Sequence, residues 1–224
     1  MNDRRSYGDS CGVARGLDVV GERWALLVVR DLLLGPKRFN DLLAGLPGVS
    51  PNVLTQRLRD LADHGVVRRT SLGPPTRVHL YELTEWGREL EPLLIGLGRW
   101  GSRAPSRTDR PLGVDSLMLS VKAGFRPDRS AALRGDYEIH VGADTYRVDV
   151  TDAAMHVERQ AEPGTPDAAI VTDLDTLRDI AAARLTVDDA DRQGVLRFEG
   201  DKAARKCLAE ILVSAFSAPD SRAG

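Results

Sequence analysis

Residues 50–65 read SPNVLTQRLRDLADHG, a segment with a legible start, a legible end and two chemically different sides. Ser50 fits a helix N-cap, Pro51 the first helical position, and Gly65 the residue just past the last turn. At about 100° per residue, Leu54, Leu58 and Leu61 share one face and belong to a core. Asn52, Gln56 and Arg59 lie opposite them, with Thr55 at the margin. Asn and Gln can bond both ends of an adenine edge, and Arg can do the same to guanine. A helix entering the major groove by its N-terminal half presents such side chains to bases. Its free N-terminal amides also suit a phosphate. An ordinary solvated face uses the same residue types, so the neighbouring sequence has to decide between the two.

Upstream, CGVARGLDVVGERWALLVVRDLLLG (11–35) places Val13, Leu17, Val20, Trp24, Leu27 and Val28 at helical spacing, with Gly21 as a break between two helices. KRFNDLLAGL (37–46) reads as a short amphipathic helix, followed by a Pro-Gly-Val turn. Downstream, VVRRTSL (66–72) and RVHLYELT (77–84) are β-rich runs joined around Gly73-Pro74-Pro75. Helix, turn, helix and hairpin in this order make a helix-turn-helix with a wing. The wing carries Arg68, Arg69, Arg77 and His79. Together with Lys37, Arg38 and Ser50, these are the candidates for contacts to phosphates, which position a protein without reading sequence. Arg57 sits nearer the core side of its helix, where either a phosphate contact or an internal ion pair is open to it. EWGRELEPLLIGLGRW (85–100) then lines Leu90, Leu93, Leu94, Leu97 and Trp100 along one side. Pro92 either bends that helix or marks its true start.

The 224-residue chain is 42% hydrophobic and 29% charged, enough for a real core and unlike a disordered chain. No run approaches the ~18–20 apolar residues of a membrane span, and no apolar stretch follows the basic N-terminus, so a cytoplasmic protein without membrane contact is expected. The net charge of −2 divides unevenly. Residues 1–105 carry 15 Lys and Arg against 12 Asp and Glu, a net of +3, and residues 106–224 carry 16 against 21, a net of −5. An anionic partner therefore suits the first half better than the second.

GSRAPSRTDRPLG (101–113), rich in Arg, Pro, Ser and Gly, reads as a linker. Beyond it DSLMLSVKAGF forms an amphipathic helix through Leu117, Val121 and Phe125. YEIHVGADTYRVDV alternates on both sides of a Gly-Ala-Asp turn, with Tyr137, Ile139, Val141, Tyr146, Val148 and Val150 on the inward side. MHVERQ and AAIVTD are strand-like, Asp173 opens a helix, GVLRFEGD is a last strand, and Asp201 caps a closing helix, KAARKCLAEILVSAF. Asp188, Asp189 and Asp191 read as a solvated loop, and Cys207 as core. Strands gathered between helices give an α+β layer, one sheet with helices on one face. The expected division is 1–101 as a winged helix-turn-helix domain, 102–113 as linker and 114–224 as an α+β domain.

Catalysis finds no support. Gly96-Leu97-Gly98-Arg99-Trp100-Gly101 matches G-x-G-x-x-G but follows a helix and precedes a linker, without the strand that dinucleotide binding requires. His64, His79, His140 and His156 show no ligand spacing, no nucleophile elbow occurs, and no metal or cofactor is expected.

The first half resembles the HxlR family of bacterial winged-helix transcription regulators over about residues 10–101. The resemblance is carried by Cys11, Gly21-Glu22-Arg23-Trp24, Gly35-Pro36-Lys37-Arg38-Phe39, Ser50-Pro51-Asn52-Val53-Leu54, Gln56-Arg57-Leu58, Gly65-Val66-Val67 and Tyr81-Glu82-Leu83-Thr84 followed by Gly87. It implies a homodimer paired through the first and last helices of this half, with two recognition helices facing successive major grooves of a palindromic double-stranded operator. It also implies that Cys11 is a candidate for sensing oxidants or electrophiles. Arg15, one turn on, would favour the thiolate, although Cys11 is followed here by Gly where the family has Pro.

The second half is similar, more faintly, to the sterol carrier protein type of domain. That likeness rests on Tyr146-Arg147-Val148, Pro166-Asp167-Ala168, the helix with Leu174 and Leu177, and Gly194-Val195-Leu196 through Gly200-Asp201. It implies an apolar cavity for a small hydrophobic effector. Two other readings stay open. One is a carrier or enzyme for a hydrophobic metabolite in which the first half only dimerises, and the other is a thiol switch through Cys11.

Overall fold

Ser50 caps the helix over residues 51–63, and Gly65, at φ 74°, follows its end. In the computed structural model, which describes residues 6–71, 78–105, 110–125 and 130–216, the chain divides into two compact units, Met1–Ala104 and Pro105–Gly224. The first contains α1 (Gly12–Val20), α2 (Ala25–Leu32), α3 (Phe39–Gly45), α4 (Pro51–Asp63), β1 (Val67–Ser71), β2 (His79–Leu83), α5 (Glu85–Arg88) and α6 (Glu91–Gly101). The Gly21 break falls as expected, and Trp24 turns the corner into α2 with a left-handed φ of 78°. Pro92 is the second residue of α6, so it marks a start rather than a bend. The six-residue glycine motif lies inside that helix.

Val28, Val29, Leu42, Leu54, Leu58, Leu61 and Leu83 form one buried cluster. Each such side chain contributes about 1.5–3 kcal/mol by leaving water. β1 and β2 pair antiparallel, with Arg68 opposite Glu82 and Ser71 opposite His79. Lys37 joins them through a bridge to Tyr81. The Gly73-Pro74-Pro75 tip and Arg77 lie outside the described residues.

The second unit contains α7 (Val114–Gly124), α8 (Ser130–Leu133), β3 (Gly135–Val141), β4 (Asp144–Val150), β5 (Met155–Gln160), β6 (Ala168–Thr172), α9 (Leu174–Ala181), α10 (Val187–Arg192), β7 (Leu196–Gly200) and α11 (Lys202–Phe216). Its five strands run in the order β5-β4-β3-β6-β7. All neighbours are antiparallel except β3 and β6. The β3–β4 hairpin closes through Gly142 and Ala143, with Gly142 at φ 61°, a conformation glycine adopts without strain. α7 and α11 pack together closely enough that a Cβ on Gly124 would stand 2.4 Å from the Ala215 Cα. Asp173 and Asp201 cap α9 and α11 as expected, each accepting backbone N–H bonds that hold its carboxyl below the usual range.

Two expectations need correction. Asp188, Asp189 and Asp191 are not in a loop but in α10, because Thr186 caps that helix by accepting from the Asp189 amide at 3.1 Å. The first-turn acids then face the positive end of the helix dipole. Cys207 is half-buried rather than core, and its thiol donates to the Ala132 carbonyl at 3.3 Å. Among the described residues no helix is long and apolar enough to cross a membrane.

Candidate nucleic-acid interface

Burial of Leu54, Leu58 and Leu61 fixes the rotation of α4, so the opposite side faces water. Asn52, Gln56 and Arg59 are all exposed there. Arg59 makes no hydrogen bond or ion pair among the described residues. Thr55 is half-buried and its hydroxyl donates back to the Pro51 carbonyl at 2.8 Å, which leaves its methyl as the group able to touch a ligand. Ser50 Oγ accepts from the Val53 amide at 3.3 Å, so its hydroxyl already serves the helix.

The other candidates separate by environment. Arg69 and His79 are exposed on the hairpin. Arg68 is exposed too, but its Nε donates to the cross-strand Glu82 carboxylate at 2.9 Å. Arg38 is exposed at the start of α3, with its amide donating to Asp41 at 3.1 Å. Lys37 was expected at a phosphate, and the structure contradicts this. The residue is 6% exposed, and its ammonium lies 3.8 Å from Asp31 Oδ2. The bridge to Tyr81 sets the direction of its side chain, which runs inward to the buried acid.

For Arg57 the ion-pair arrangement is the one found. With 16% of its side chain exposed, Nη1 lies 3.5 Å from Glu22 and 3.3 Å from Asp60. Asp60 in turn accepts from the Gln56 side-chain amide at 2.8 Å. The sequence pattern marks neither Asp60 nor Glu22 as a partner of Arg57. The available signal was local, since Asp60 follows Gln56 by four residues and Arg57 by three, the spacings that meet on a helix surface.

Cys11 is exposed and stands as the N-cap of α1, its amide donating to Asp9 at 2.9 Å. The Arg15 amide bonds the Cys11 carbonyl at 3.0 Å, and among the described residues no hydrogen bond joins the guanidinium to the thiol. Ser6 and Tyr7 are tied to Asp18 at 2.8 and 2.9 Å, laying the preceding segment along α1. α1 also exposes Val13 and Leu17, and α6 exposes Leu93, Leu97 and Trp100.

In the second unit the inward sheet face buries Tyr137, Ile139, Tyr146, Val148, Val157 and Ile170. Tyr146 donates to Asp115 at 2.9 Å and accepts from Arg159 at 2.7 Å. Arg159 also pairs with Asp144 and lies with its guanidinium over the Tyr146 ring. Burial, with Asp115 next to the phenol, pushes the Tyr146 pKa well above that of a free tyrosine. On the outward face Glu138 is buried, accepting from the Gly164 amide at 2.6 Å and lying 3.0 Å from His140 Nε2.

An HTH-type transcriptional regulator of Synechocystis sp., sll1512, is 41% identical over 96 residues, covering 42% of this chain and 70% of its own length. YdeP, an HTH-type transcriptional regulator of Bacillus subtilis, is 35% identical over 103 residues, covering 46% of this chain and 80% of its own. The family model for the HxlR-like helix-turn-helix matches residues 19–109. The chain belongs to the HxlR-like helix-turn-helix family. Its first unit is thus a DNA-binding unit of a transcription regulator, and α4 is the second helix of the helix-turn-helix. A second family model, the SCP-2 sterol transfer family, matches residues 119–212, so this HxlR-like regulator carries an SCP-2 domain after its winged helix. Among solved structures, the redox regulator HypR in its oxidised form is 33% identical and covers 43% of this chain and 99% of its own, with a TM-score of 0.41.

Proposed function

We propose that this HxlR-like regulator acts in the cytoplasm as a homodimer on palindromic double-stranded DNA, and that a small apolar ligand in the SCP-2 domain biases its DNA affinity. The observation that carries the DNA reading is the outward face of α4, where Asn52, Gln56 and Arg59 are exposed opposite three buried leucines. Asn52, Gln56 and Arg59, with the Thr55 methyl, would meet base edges. Arg69, His79, Arg38 and, more weakly, the Glu82-paired Arg68 would meet phosphates.

The exposed Leu93, Leu97 and Trp100 of α6 and Val13 and Leu17 of α1 support the dimer, since apolar side chains gathered on helices favour a protein partner. Two-fold symmetry in the protein then requires two-fold symmetry in the operator. The effector reading is supported by the SCP-2 match and the apolar inward face of the sheet. Ligand control requires unequal affinity for two dimer geometries.

The test is a gel shift on DNA upstream of the chain's own gene, with and without a lipid extract, alongside mass spectrometry of natively purified protein for a co-purifying ligand. A sequence-specific shift altered by the extract supports the whole reading. No sequence-specific shift would favour the second reading, which the SCP-2 match keeps in view: a carrier or enzyme for a hydrophobic metabolite in which the first unit only dimerises. A third reading, a thiol switch, draws on the exposure of Cys11, and requires Cys11→Ser to abolish any oxidant effect on binding.

A further inference from the structure

We propose that Asp60 sets the base chemistry that Gln56 reads, so that Gln56 selects a base bearing an exocyclic amine in the major groove, adenine or cytosine. The inference rests on the reading face proposed above. A glutamine amide has a donor end and an acceptor end, and which one faces outward decides what it recognises. Gln56 Nε2 donates to Asp60 Oδ1 at 2.8 Å. The carboxylate only accepts, so it must be met by the NH₂ group, and the orientation of the amide follows from its partner. One of the two N–H groups is thereby held on Asp60, which turns the carbonyl oxygen, the only acceptor of the amide, toward a base. Guanine and thymine offer acceptors at O6, N7 and O4, which repel it, whereas the N6 amine of adenine and the N4 amine of cytosine supply the donor it lacks.

Asp60 is itself held. Its other oxygen lies 3.3 Å from Arg57, whose largely buried guanidinium also reaches Glu22 at 3.5 Å. Glu22 belongs to the corner between α1 and α2, so a chain of four side chains runs from that corner to the reading face. The Arg57 charge also offsets a carboxylate that would otherwise repel nearby phosphates. Without Asp60 nothing holds the NH₂ end back, and the Gln56 amide can turn either its donor or its acceptor end to a base.

The experiment is selection from a randomised duplex library by the full-length protein, run beside three variants. Wild type should enrich adenine or cytosine over guanine and thymine at one position by about five- to tenfold, as befits one direct contact rather than a bidentate pair. Gln56→Ala should erase that preference. Asp60→Ala should admit all four bases, because the amide can then present either end. Asp60→Asn keeps the volume and an acceptor for Arg57 but can meet either end of the amide, so all four bases become admissible. Where adenine is selected, replacing it by purine, which lacks the N6 amine, should weaken wild type. Asp60→Ala, in which Gln56 can turn its NH₂ group to N7 instead, should respond less. Where cytosine is selected, 2-pyrimidinone, which lacks the N4 amine, serves as the first probe.

Guanine or thymine at the Gln56 position in wild type overturns the inference. So does a position that Gln56→Ala relaxes and both Asp60 variants leave unchanged, an outcome that still keeps α4 as the reading helix. A motif unchanged by both Gln56→Ala and Arg59→Ala overturns the reading face, and the inference with it. A merely structural Asp60 would weaken every sequence alike without moving base choice.

Discussion

Lys37 and Asp31 face one another inside the first unit, 3.8 Å apart and each almost wholly buried. Asp31 also receives the Arg30 guanidinium, Nε to Oδ1 at 2.8 Å. The acid therefore gathers one cation from its own helix and one from the segment that bridges to Tyr81. Removing one side of a buried pair leaves its partner uncompensated. Lys37→Ala should destabilise the first unit by about 3 kcal/mol, the low end for such a loss because Arg30 remains. Urea unfolding measures this, and an undiminished salt slope of DNA binding in any folded fraction separates it from a phosphate contact.

Arg59 and Arg69 differ in what they can reach, so their losses should differ in kind. Arg59→Ala is expected to relax specificity at one base position and cost about 1–3 kcal/mol. Arg69→Ala should weaken binding evenly across sequences and reduce the log–log salt slope by about 1. Fluorescence anisotropy over a salt series on selected and scrambled duplexes distinguishes them. An Arg59→Ala protein with unaltered preference would remove that residue from the reading face.

The proposed dimerisation through α1 and α6 makes a separate demand. Leu97→Glu with Trp100→Glu places two charges where the structure exposes apolar side chains, and an apolar interface does not accept unpaired charge. Sedimentation velocity should show the dimer replaced by a folded monomer, with binding to a palindromic site reduced to that of a half-site. A dimer that persists in the double variant would locate the interface elsewhere.

Alkaline stability of the second unit follows from its buried phenols. Burial and nearby acidic groups raise Tyr137 and Tyr146 well above the ordinary value of 10.0. The unfolded chain releases these protons near pH 10 while the folded unit keeps them, so their stabilising effect is complete below that pH and falls as pH rises beyond it. Phenolate absorbance should show Tyr137 and Tyr146 titrating only with unfolding. Tyr146→Phe tests the network itself. It leaves Asp115 and Arg159 without the phenol oxygen between them and should cost about 1–3 kcal/mol.

At the acid end, Asp173 gives the opposite dependence. Its carboxylate accepts from both the amide and the hydroxyl of Thr176, which lowers its pKa below that of a free aspartate. That stabilisation is present above the unfolded pKa of 3.8 and is lost as pH falls through the lower folded value. Asp173→Ala should cost about 1 kcal/mol near neutral pH, and the difference from wild type should shrink on acidification, followed by circular dichroism.

Helix ends and strand alternation were legible in the sequence because each has a local cause. Ser50-Pro51, Gly21, Pro92, Asp173 and Asp201 act through their own backbone, and Tyr146-Val148-Val150 through the pleat. The membership of the α4 outward face was equally plain, since three leucines fix the rotation. What escaped was pairing across elements. Lys37 looked like any basic residue beside Arg38 until the fold brought Asp31 beneath it. Arg57 stayed open until the corner carrying Glu22 was placed beside α4. The acids at 188–191 looked like loop because their polarity outweighed the cap at Thr186, whose effect depends on a hydrogen bond rather than on composition.

The parallel pairing of β3 with β6 bears on how this chain is made. β3 and β4 can close as soon as both exist, but β6 arrives only after β4 and β5 have been laid down. α11, the last helix among the described residues, packs against α7, β6 and β7. Leu117 and Val121 of α7 therefore stay without their final cover until that helix leaves the ribosome. The winged helix, with its short-range contacts, closes earlier and faster. Synthesis thus passes through an interval in which the first unit is complete while the apolar side of the second still lacks α11.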